Sequence, residues 1–580
     1  MKEIIDLNGV WKFAPTHDQK PTNNHNIIAT DHPLYAQPNL NRIHWKNVLV
    51  PGVWQKYEEK YSIYEGVCWF CRNFHISDAA QISQARLVFK GVNYRAEVYV
   101  NGEPVGVHES AYTEFFFDIT DFLQEGQNMV AVSVDNRPII VKWPNDWGYA
   151  VYGGIHRDVF LEIYRDNYLT DLEIIPDYDT DSQKGLLKVG GTVQGDLSEV
   201  LVTLGEEVKS LPCKDGQFAQ VLEYEHILPW SCESPVLYNL TITAEAHTYL
   251  QCSVGFRNVC CKDRAFCLNG EVFPIKGACY LYDSPTYGLV MNKDQLRFDL
   301  QKMKDANVNA IRTHYPMSDG FYELCDEMGF LVWIEPNIYC SKPWPDKINT
   351  VFARQDFVDV AVSMTREMVQ AARRFASVAI YGIGNECNVE HPEAMPFCEK
   401  IAATVREQDS TKLISYATLY GQVGEMWKLT DLIGLNAYPG WYDTLPPFEI
   451  ADMPVQEASV AVRTPDVSQI HRLIANLTAS IPKDMPILIT EFGADSVPGF
   501  TSKSGDLWTE DYHAKVIGAV LDAVKAYPQV AGTFVFAFIE YLDPSKPLNG
   551  KWNGYNLKGM LTYEREYKLP YFKLQEKYKA

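Results

Sequence analysis

Hydrophobic and polar residues alternate in short runs over the first 262 residues of the chain, and turn residues separate these runs. Strict alternation is typical of strands with one buried face, because successive side chains of a strand point to opposite sides. In the run 95–100 every second residue is apolar, and the Asn101-Gly102 pair that follows supplies the two positive-φ positions of a tight hairpin. Similar strand-like runs lie at 85–89, 129–135 and 186–193.

This region is too long for a single sandwich of two packed sheets. The run 152–165 ends a strand-rich unit near residue 165. The spacing of strands and turns therefore predicts a jelly-roll β-sandwich over 1–165 and a smaller immunoglobulin-like β-sandwich over 166–262.

From residue 263 onward, predominantly apolar runs alternate with longer amphipathic stretches. Continuous apolar strands need cover on both faces, so this alternation predicts a closed (β/α)8 barrel over 263–580. The strand-like runs are 273–280, 308–315, 329–336, 377–386, 412–418, 432–438, 486–493 and 532–541. The helical stretches include 293–307, 319–329, 356–375 and 511–527.

Composition and net charge limit the classes of partner and the cellular compartment that we expect. The 580 residues include 74 acidic and 52 basic side chains, a net charge of −22, and 46% are hydrophobic. An acidic surface repels phosphate backbones and anionic lipid, so we expect no nucleic-acid partner and no membrane partner. We see no secretory leader and no membrane-spanning run, and the 13 scattered cysteines fit a reducing compartment, so a cytoplasmic location is expected.

Two predicted barrel strands end in a glutamate: Glu386 closes the fourth and Glu491 the seventh. Catalytic side chains of such barrels come from the carboxyl ends of strands, and these two strands lie on opposite sides of the ring. One carboxyl could protonate a glycosidic oxygen while the other attacks the sugar, which requires a spacing of about 5–5.5 Å in a retaining enzyme. The alternative is a structural ion pair at each strand end.

Charged and aromatic residues are predicted near the same mouth. Arg312 and His314 follow the second strand and could keep Glu491 ionised, whereas a drier setting would keep Glu386 protonated. A loop-anchoring network is the alternative for this pair, and Glu335, after the third strand, is interpreted as supporting. Aromatic residues that could stack on sugar rings, or serve only as packing, are Trp333, Tyr438, Trp441, Tyr442 and Phe536.

Four separated motifs resemble glycoside hydrolase family 2. The segments 384–386 and 490–495 are similar to its acid/base and nucleophile motifs, so the resemblance implies these roles for Glu386 and Glu491. The other two motifs are 153–157 and 309–316. The resemblance covers the whole chain and implies a sugar-binding jelly roll, an immunoglobulin-like domain and a (β/α)8 barrel in this order.

Within the family, the chain looks most like β-glucuronidases. The segment 436–442 is similar to their strand-six motif, and Asn556-Leu557-Lys558 matches the Asn-x-Lys signature that grips the sugar carboxylate. An ammonium and an amide can pair with that carboxylate, whereas a neutral C6 hydroxyl would leave a desolvated cation unpaired. The substrate-binding residues that the resemblance implies are Asp146, Asn385, Asn436, Tyr438, Tyr442, Asn556 and Lys558.

Several departures leave the identity of the uronic acid open. Phe536-Ala537 stands where the glucuronidase pattern has Trp-Asn, Trp552 stands where it has an arginine, and Leu281 stands where it has a histidine. None of these changes removes a catalytic group.

The leading hypothesis is therefore a retaining, exo-acting β-glycosidase that hydrolyses β-D-glucuronides without a metal or organic cofactor. The alternatives are a β-galacturonidase, a β-galactosidase, or a catalytically inactive carbohydrate-binding protein. The loops 337–353 and 440–466 are expected to set aglycone preference. A homo-oligomer is expected from the size of the chain, its exposed sandwich faces and the family resemblance.

Overall fold

The computed structural model describes residues 2–16, 44–137, 143, 152–339, 352–389, 391–442, 465–544, 546 and 554–579. Asp146 and Trp552 lie outside the described residues, as do 340–351 and 443–464 of the two loops expected to set aglycone preference. Within this described part, no helix combines the length and the apolar character needed to cross a membrane.

The first part of the chain is a β-sandwich. A four-stranded sheet of order β1-β12-β5-β9 and a six-stranded sheet of order β3-β2-β4-β10-β7-β8 share one hydrophobic core. The predicted hairpin joins β7 and β8, with φ values of 54° at Asn101 and 93° at Gly102. The strands are Lys2–Asp6 (β1), Gly9–Pro15 (β2), Lys46–Val50 (β3), Val67–Ile76 (β4), Gln84–Phe89 (β5), Val92–Asn93 (β6), Arg95–Val100 (β7), Glu103–Glu109 (β8), Phe115–Asp118 (β9), Gly126–Asp135 (β10), Gly154–Ile155 (β11) and Val159–Tyr164 (β12).

A second, smaller sandwich follows, with a three-stranded sheet of order β13-β14-β17 and a four-stranded sheet of order β16-β15-β18-β19 around its own core. A small sheet of β20, β21 and β22 then leads into the barrel. The division into domains at 165 and 262 stays a prediction. The strands are Tyr168–Asp179 (β13), Lys184–Gln194 (β14), Glu199–Leu204 (β15), Glu207–Pro212 (β16), Gln217–Tyr224 (β17), Tyr238–Ala244 (β18), His247–Val254 (β19), Val259–Lys262 (β20), Ala265–Leu268 (β21) and Glu271–Val272 (β22).

The third part is a closed barrel of eight parallel strands, which confirms the predicted fold. Each strand overlaps one of the apolar runs, and β26 and β29 are buried along their whole length, as strands covered on both faces should be. The strands are Ile275–Cys279 (β23), Ala310–Arg312 (β24), Leu331–Ile334 (β25), Val378–Asn385 (β26), Leu413–Leu419 (β27), Leu432–Asn436 (β28), Ile487–Glu491 (β29) and Val530–Val535 (β30).

Helices surround this barrel, and all four predicted helical stretches are confirmed. The first helix begins where the sequence supplies a cap, since the Asn292 side chain accepts the Gln295 backbone N–H at 3.0 Å. A short hairpin of Tyr541–Leu542 (β31) and Tyr555–Asn556 (β32) follows the last barrel strand. The helices are Lys293–Asp305 (α1), Asp319–Met328 (α2), Gln355–Ala372 (α3), Ala394–Gln408 (α4), Ser468–Ser480 (α5), Glu510–Val524 (α6) and Leu569–Lys579 (α7).

The motif 153–157 connects the first sandwich to the barrel. The Arg157 guanidinium donates to the carbonyl of Pro316 at 2.6 Å, just after the strand that carries Arg312. Beside this bond, the rings of Tyr112 and Tyr315 stack with centroids 4.1 Å apart. These contacts hold the sandwich against the loop that follows the second barrel strand.

Candidate active site

The two glutamates lie at the same mouth of the barrel. Glu386 directly follows β26 and is partly exposed, whereas Glu491 is the last residue of β29 and is buried. Parallel strands of a barrel all end at one rim, so two residues far apart in the chain come together there.

One side-chain amide contacts both carboxylates. Nδ2 of Asn436 donates to Oε1 of Glu386 at 2.8 Å and to Oε1 of Glu491 at 2.8 Å. Two bonds of 2.8 Å from one nitrogen place these oxygens at most about 5.6 Å apart, twice the bond length. The amide is oriented from behind, because its Oδ1 accepts the hydroxyl of Thr490 at 2.6 Å.

Glu491 is held as an anion. Its Oε1 accepts from Arg312 at 2.8 Å and from His314 at 3.0 Å, and its Oε2 accepts the Tyr438 hydroxyl at 2.5 Å. Burial alone would raise the pKa of this carboxyl. The hydrogen bond from His314, the charge of Arg312 and the bond from Tyr438 outweigh it and lower the pKa to about 2.

Glu386 is in the opposite electrostatic state. Burial and repulsion by the Glu491 carboxylate raise its pKa to about 8, although a hydrogen bond from Asn436 works against the shift. Its Oε2 accepts the Tyr339 hydroxyl at 3.3 Å. The backbone of Glu386 has a φ of 50°, a conformation that is uncommon for a residue with a Cβ.

Arg312 organises the floor of the site. It is fully buried, and its Nε donates to Glu335 at 2.6 Å while its Nη2 donates to Oδ1 of Asn385 at 2.7 Å. A buried guanidinium of this kind fixes each acceptor in place because its donors form a rigid fork. Glu335 thus occupies the supporting position that the sequence indicated.

Lys558 is buried, and its ammonium pairs with the carboxylate of Asp495. Its Nζ also lies 5.6 Å from the ring centroid of Tyr438 and 4.9 Å from that of Tyr442. The expectation that this lysine is unpaired without a sugar carboxylate is therefore wrong, since Asp495 already compensates its charge.

Asn556 lies beside this pair on β32. Its Nδ2 donates to the Tyr541 hydroxyl at 3.1 Å, with a longer contact of 3.4 Å to Asp543. Its Oδ1 accepts the backbone N–H of Lys558 at 3.3 Å, so the asparagine shapes the turn that presents the lysine.

The structure brings together ten of the eleven site residues that the sequence singled out, and the eleventh, Asp146, lies outside the described residues. Sequence reasoning missed the hydrogen bond from Tyr339 to Glu386 and the pairing of Asp495 with Lys558. Asp495 was within the quoted nucleophile motif, but nothing in its spacing indicated a lysine partner. Across the described ranges, no group of three or more His, Cys, Asp or Glu side chains could hold a metal ion.

Comparison with known proteins agrees with this geometry. A family model for the TIM barrel domain of glycosyl hydrolases family 2 matches residues 259–580, more than half of the chain, and a model for the sugar binding domain of the same family matches residues 4–164. The chain belongs to glycosyl hydrolase family 2.

Relatives of this family 2 chain carry several names. A β-galactosidase from Streptococcus thermophilus is 31% identical over 342 residues, which cover 55% of this chain and 33% of that protein. A β-glucuronidase from Bacteroides fragilis is 26% identical over 533 residues, which cover 83% of this chain and 70% of that protein. The family 2 chain spans between a third and about half of the length of the first curated relatives that it matches.

Among solved structures, a family 2 β-galacturonidase from Eisenbergiella tayi bound to galacturonate is 25% identical, with a TM-score of 0.81. That match covers 100% of the family 2 chain and 97% of the galacturonidase.

Proposed function

We propose that this protein is a retaining β-glycosidase in which Glu386 is the acid/base and Glu491 the nucleophile. The observation that carries the proposal is a pair of carboxyls that share one amide donor and whose surroundings shift their pKa values in opposite directions. An upper limit of about 5.6 Å between their nearest oxygens suits a retaining enzyme, because an inverting enzyme needs about 6.5–9.5 Å to admit water.

The first step forms a glycosyl-enzyme. Glu386 gives its proton to the glycosidic oxygen, the bond from that oxygen to the anomeric carbon breaks, and the aglycone leaves as an alcohol. A carboxylate oxygen of Glu491 attacks the anomeric carbon from the other face. Oε2 is the attacking atom, because Oε1 accepts three hydrogen bonds and Oε2 accepts one among the described residues.

The second step releases the sugar. Glu386, now a carboxylate, takes a proton from water, and the water oxygen attacks the anomeric carbon. The bond to Glu491 breaks, Glu491 returns to its carboxylate form, and the sugar leaves with its β configuration retained. Arg312 and His314 stabilise the departing carboxylate through the same bonds that lower its pKa in the free protein.

Asn385 is suited to contact a sugar hydroxyl. Its Oδ1 accepts from both Arg312 at 2.7 Å and Asn436 at 2.9 Å, which turns the amide nitrogen toward the pocket. Tyr438 and Tyr442, whose ring centroids are 5.1 Å apart, provide an adjacent aromatic wall.

The substrate that we propose is a uronide, with β-D-glucuronides as the first candidate. Lys558, Asn556 and the relatives named β-glucuronidase support this choice. A β-galacturonide is the second candidate, because the galacturonate-bound structure resembles the chain along its full length. The lysine–aspartate pair weakens the argument against neutral sugars, so a β-galactoside is retained in the test.

Three nitrophenyl substrates test this proposal: the β-glucuronide, the β-galacturonide and the β-galactoside. We expect kcat/KM for one of the uronides to exceed that for the galactoside by at least about a hundredfold, as a buried charge pair can provide. A galactoside preference would refute the uronide assignment while leaving the glycosidase proposal intact.

A carbohydrate-binding protein without catalysis is the alternative from another class. Replacing Glu491 with Gln distinguishes the two, because it removes the nucleophile and keeps the shape of the pocket. Turnover that is absent from the wild type, or unchanged in the variant, contradicts the proposed enzyme.

We also propose a reducing, cytoplasmic setting and a homo-oligomer. The 12 described cysteines are all free. Val10 and Leu49 lie opposite each other on β2 and β3 and are 59% and 65% exposed. Among the described strands β3 lies at the edge of its sheet, and an exposed apolar edge favours association. Light scattering of the wild type and of Leu49→Lys tests the proposed homo-oligomer. A wild-type protein with the mass of a monomer refutes that proposal.

A further inference from the structure

We propose that Lys546 is a second cation of the sugar-carboxylate subsite and that it determines specificity together with Lys558. This inference rests on the proposed function. The sequence motif contains Lys558 alone, and Lys546 is ten residues before Asn556, separated from it by residues outside the described part.

Tyr442 connects the two lysines. Nζ of Lys546 donates to the Tyr442 hydroxyl at 2.8 Å, and Nζ of Lys558 lies 4.9 Å from the centroid of the same ring. The two ammoniums therefore flank one aromatic side chain that is 37% exposed and lies where a ligand can reach it.

The aromatic wall formed by Tyr438 and Tyr442 adjoins Glu491, the proposed nucleophile. The Tyr442 ring packs edge-on against Tyr438, with centroids 5.1 Å apart, and Tyr438 donates to Glu491. A sugar ring positioned over Glu491 would thus direct one of its substituents toward the two lysines. C6 is attached to C5, which the ring oxygen joins to the anomeric carbon, and it is the substituent that a uronide carries as a carboxylate.

The position of Lys546 is anchored through its backbone. Its N–H donates to the Asp543 carbonyl at 3.0 Å, and its own carbonyl accepts from the Gly554 N–H at 3.0 Å. These bonds connect Lys546 to the residue that follows β31 and to the residue that precedes β32. Lys546 and Asn556 are thus held on neighbouring parts of one structural unit.

The carboxylates around the two lysines are Asp495 and Asp543, and the question is whether Lys546 can pair with an added anion. Asp495 pairs with Lys558 and also attracts Lys546, and Asp543 is the other carboxylate near Lys546. The Asp543 carboxylate lies 3.4 Å from the Asn556 amide. Among the described residues, the side-chain hydrogen bond that Lys546 donates goes to the neutral hydroxyl of Tyr442, whereas the ion pair with Asp495 is made by Lys558.

Lys546 stays protonated at neutral pH. Burial works to lower its pKa, but Tyr442, Asp495 and Asp543 raise the pKa above the ordinary value for lysine. A uronate carboxylate can accept hydrogen bonds from both ammoniums with its two oxygens. A neutral C6 hydroxymethyl group gains little binding energy from Lys546.

The test compares Lys546→Met and Lys546→Arg with the wild type. Lys525→Met, directly after the helix Glu510–Val524, is the matched control, since Lys525 is exposed and its Nζ contacts Asp522 at 3.4 Å. We measure kcat and KM for the better nitrophenyl uronide and for the nitrophenyl galactoside, the inhibition constant of the corresponding free uronic acid, and the melting temperature of each variant.

We expect Lys546→Met to raise KM and the inhibition constant about tenfold while kcat changes less than about threefold. Lys546→Arg should recover most of the loss, and Lys525→Met should match the wild type. Unchanged constants in Lys546→Met overturn the inference, and so does a loss confined to kcat or a lower melting temperature with equal loss for every substrate.

The wild type separates this inference from the proposed function. If it cleaves a uronide and Lys546→Met keeps the same KM, only the role of Lys546 fails. If it cleaves the galactoside and no uronide, the uronide assignment and the role of Lys546 fail together.

Discussion

Lys558 and Asp495 form an ion pair in which the side chains are 1% and 6% exposed. The lysine that would meet a sugar carboxylate therefore has a counter-charge in the free protein. Two charges removed from water cost less together than either alone, and removing one partner leaves the other uncompensated. The Lys558–Asp495 pair is thus compensated in charge without any bound ligand.

Replacing Asp495 with Asn should destabilise the protein. Asparagine can keep the hydrogen bond that Asp495 accepts from the Leu557 N–H at 3.1 Å, but it cannot neutralise Lys558. We expect a loss of about 3 kcal/mol, seen as a melting temperature several degrees lower. The double variant Asp495→Asn/Lys558→Met should recover part of it.

The exposed residue Asp522 provides the control for that prediction. Its pairs with Lys525 and Lys577 lie at the surface, so Asp522→Asn should cost less than about 1 kcal/mol. Equal effects of the two aspartate replacements would show that burial of the Lys558 pair contributes nothing.

Replacing Glu386 with Gln should remove general acid and base catalysis. For substrates with poor leaving groups we expect kcat to fall by about 10²–10⁴. Substrates with activated leaving groups should react to form the glycosyl-enzyme and then stall, because no base activates water. Azide needs no base, so adding it should restore turnover and yield a β-glycosyl azide. An α-azide product, or no rescue, argues against this assignment.

The pH dependence of kcat/KM follows from the two carboxyls. The reactive form has Glu386 protonated and Glu491 ionised, and their pKa values are about 8 and about 2. Because the pKa of Glu386 is raised, its acid form is present below about pH 8 and is lost above it. We expect kcat/KM for an alkyl glycoside to fall tenfold per pH unit on that alkaline side. If the same alkaline decrease of kcat/KM persists in Glu386→Gln, a group other than Glu386 causes it.

Replacing Tyr438 with Phe should weaken the nucleophile. The change removes the 2.5 Å hydrogen bond to Oε2 of Glu491 and keeps the aromatic ring. We expect kcat to fall about tenfold to a hundredfold with little change in KM, because the bond orients the attacking oxygen rather than the bound sugar.

Tyr381→Phe is the matched control, since its hydroxyl also donates to a carboxylate, that of Asp409, at 2.9 Å but without contacting either catalytic glutamate. If both variants lose the same activity, the effect of Tyr438 is structural. If neither does, the hydrogen bond to Glu491 has no role in the reaction.

Local pattern was enough to predict the barrel. Strands β26 and β29 are buried throughout and apolar up to their polar last residues, because both faces are covered. Such runs can be recognised in the sequence without knowing what covers them. The same pattern located Glu386 and Glu491, because a polar residue directly after a buried strand must emerge at the rim.

The sequence by itself thus determined the succession of two sandwiches and a barrel, and it singled out the two carboxyls that we propose as catalytic. Both depend on hydrophobic periodicity and on strand ends, which are properties of neighbouring residues. Closure of the barrel decided which side chains contact those carboxyls. Arg312 and Glu491 are 179 residues apart in the chain and 2.8 Å apart in space, and the pairing of Asp495 with Lys558 has the same origin. Such partners depend on the register of eight strands around the ring, and the pKa values that separate acid from nucleophile depend on those partners.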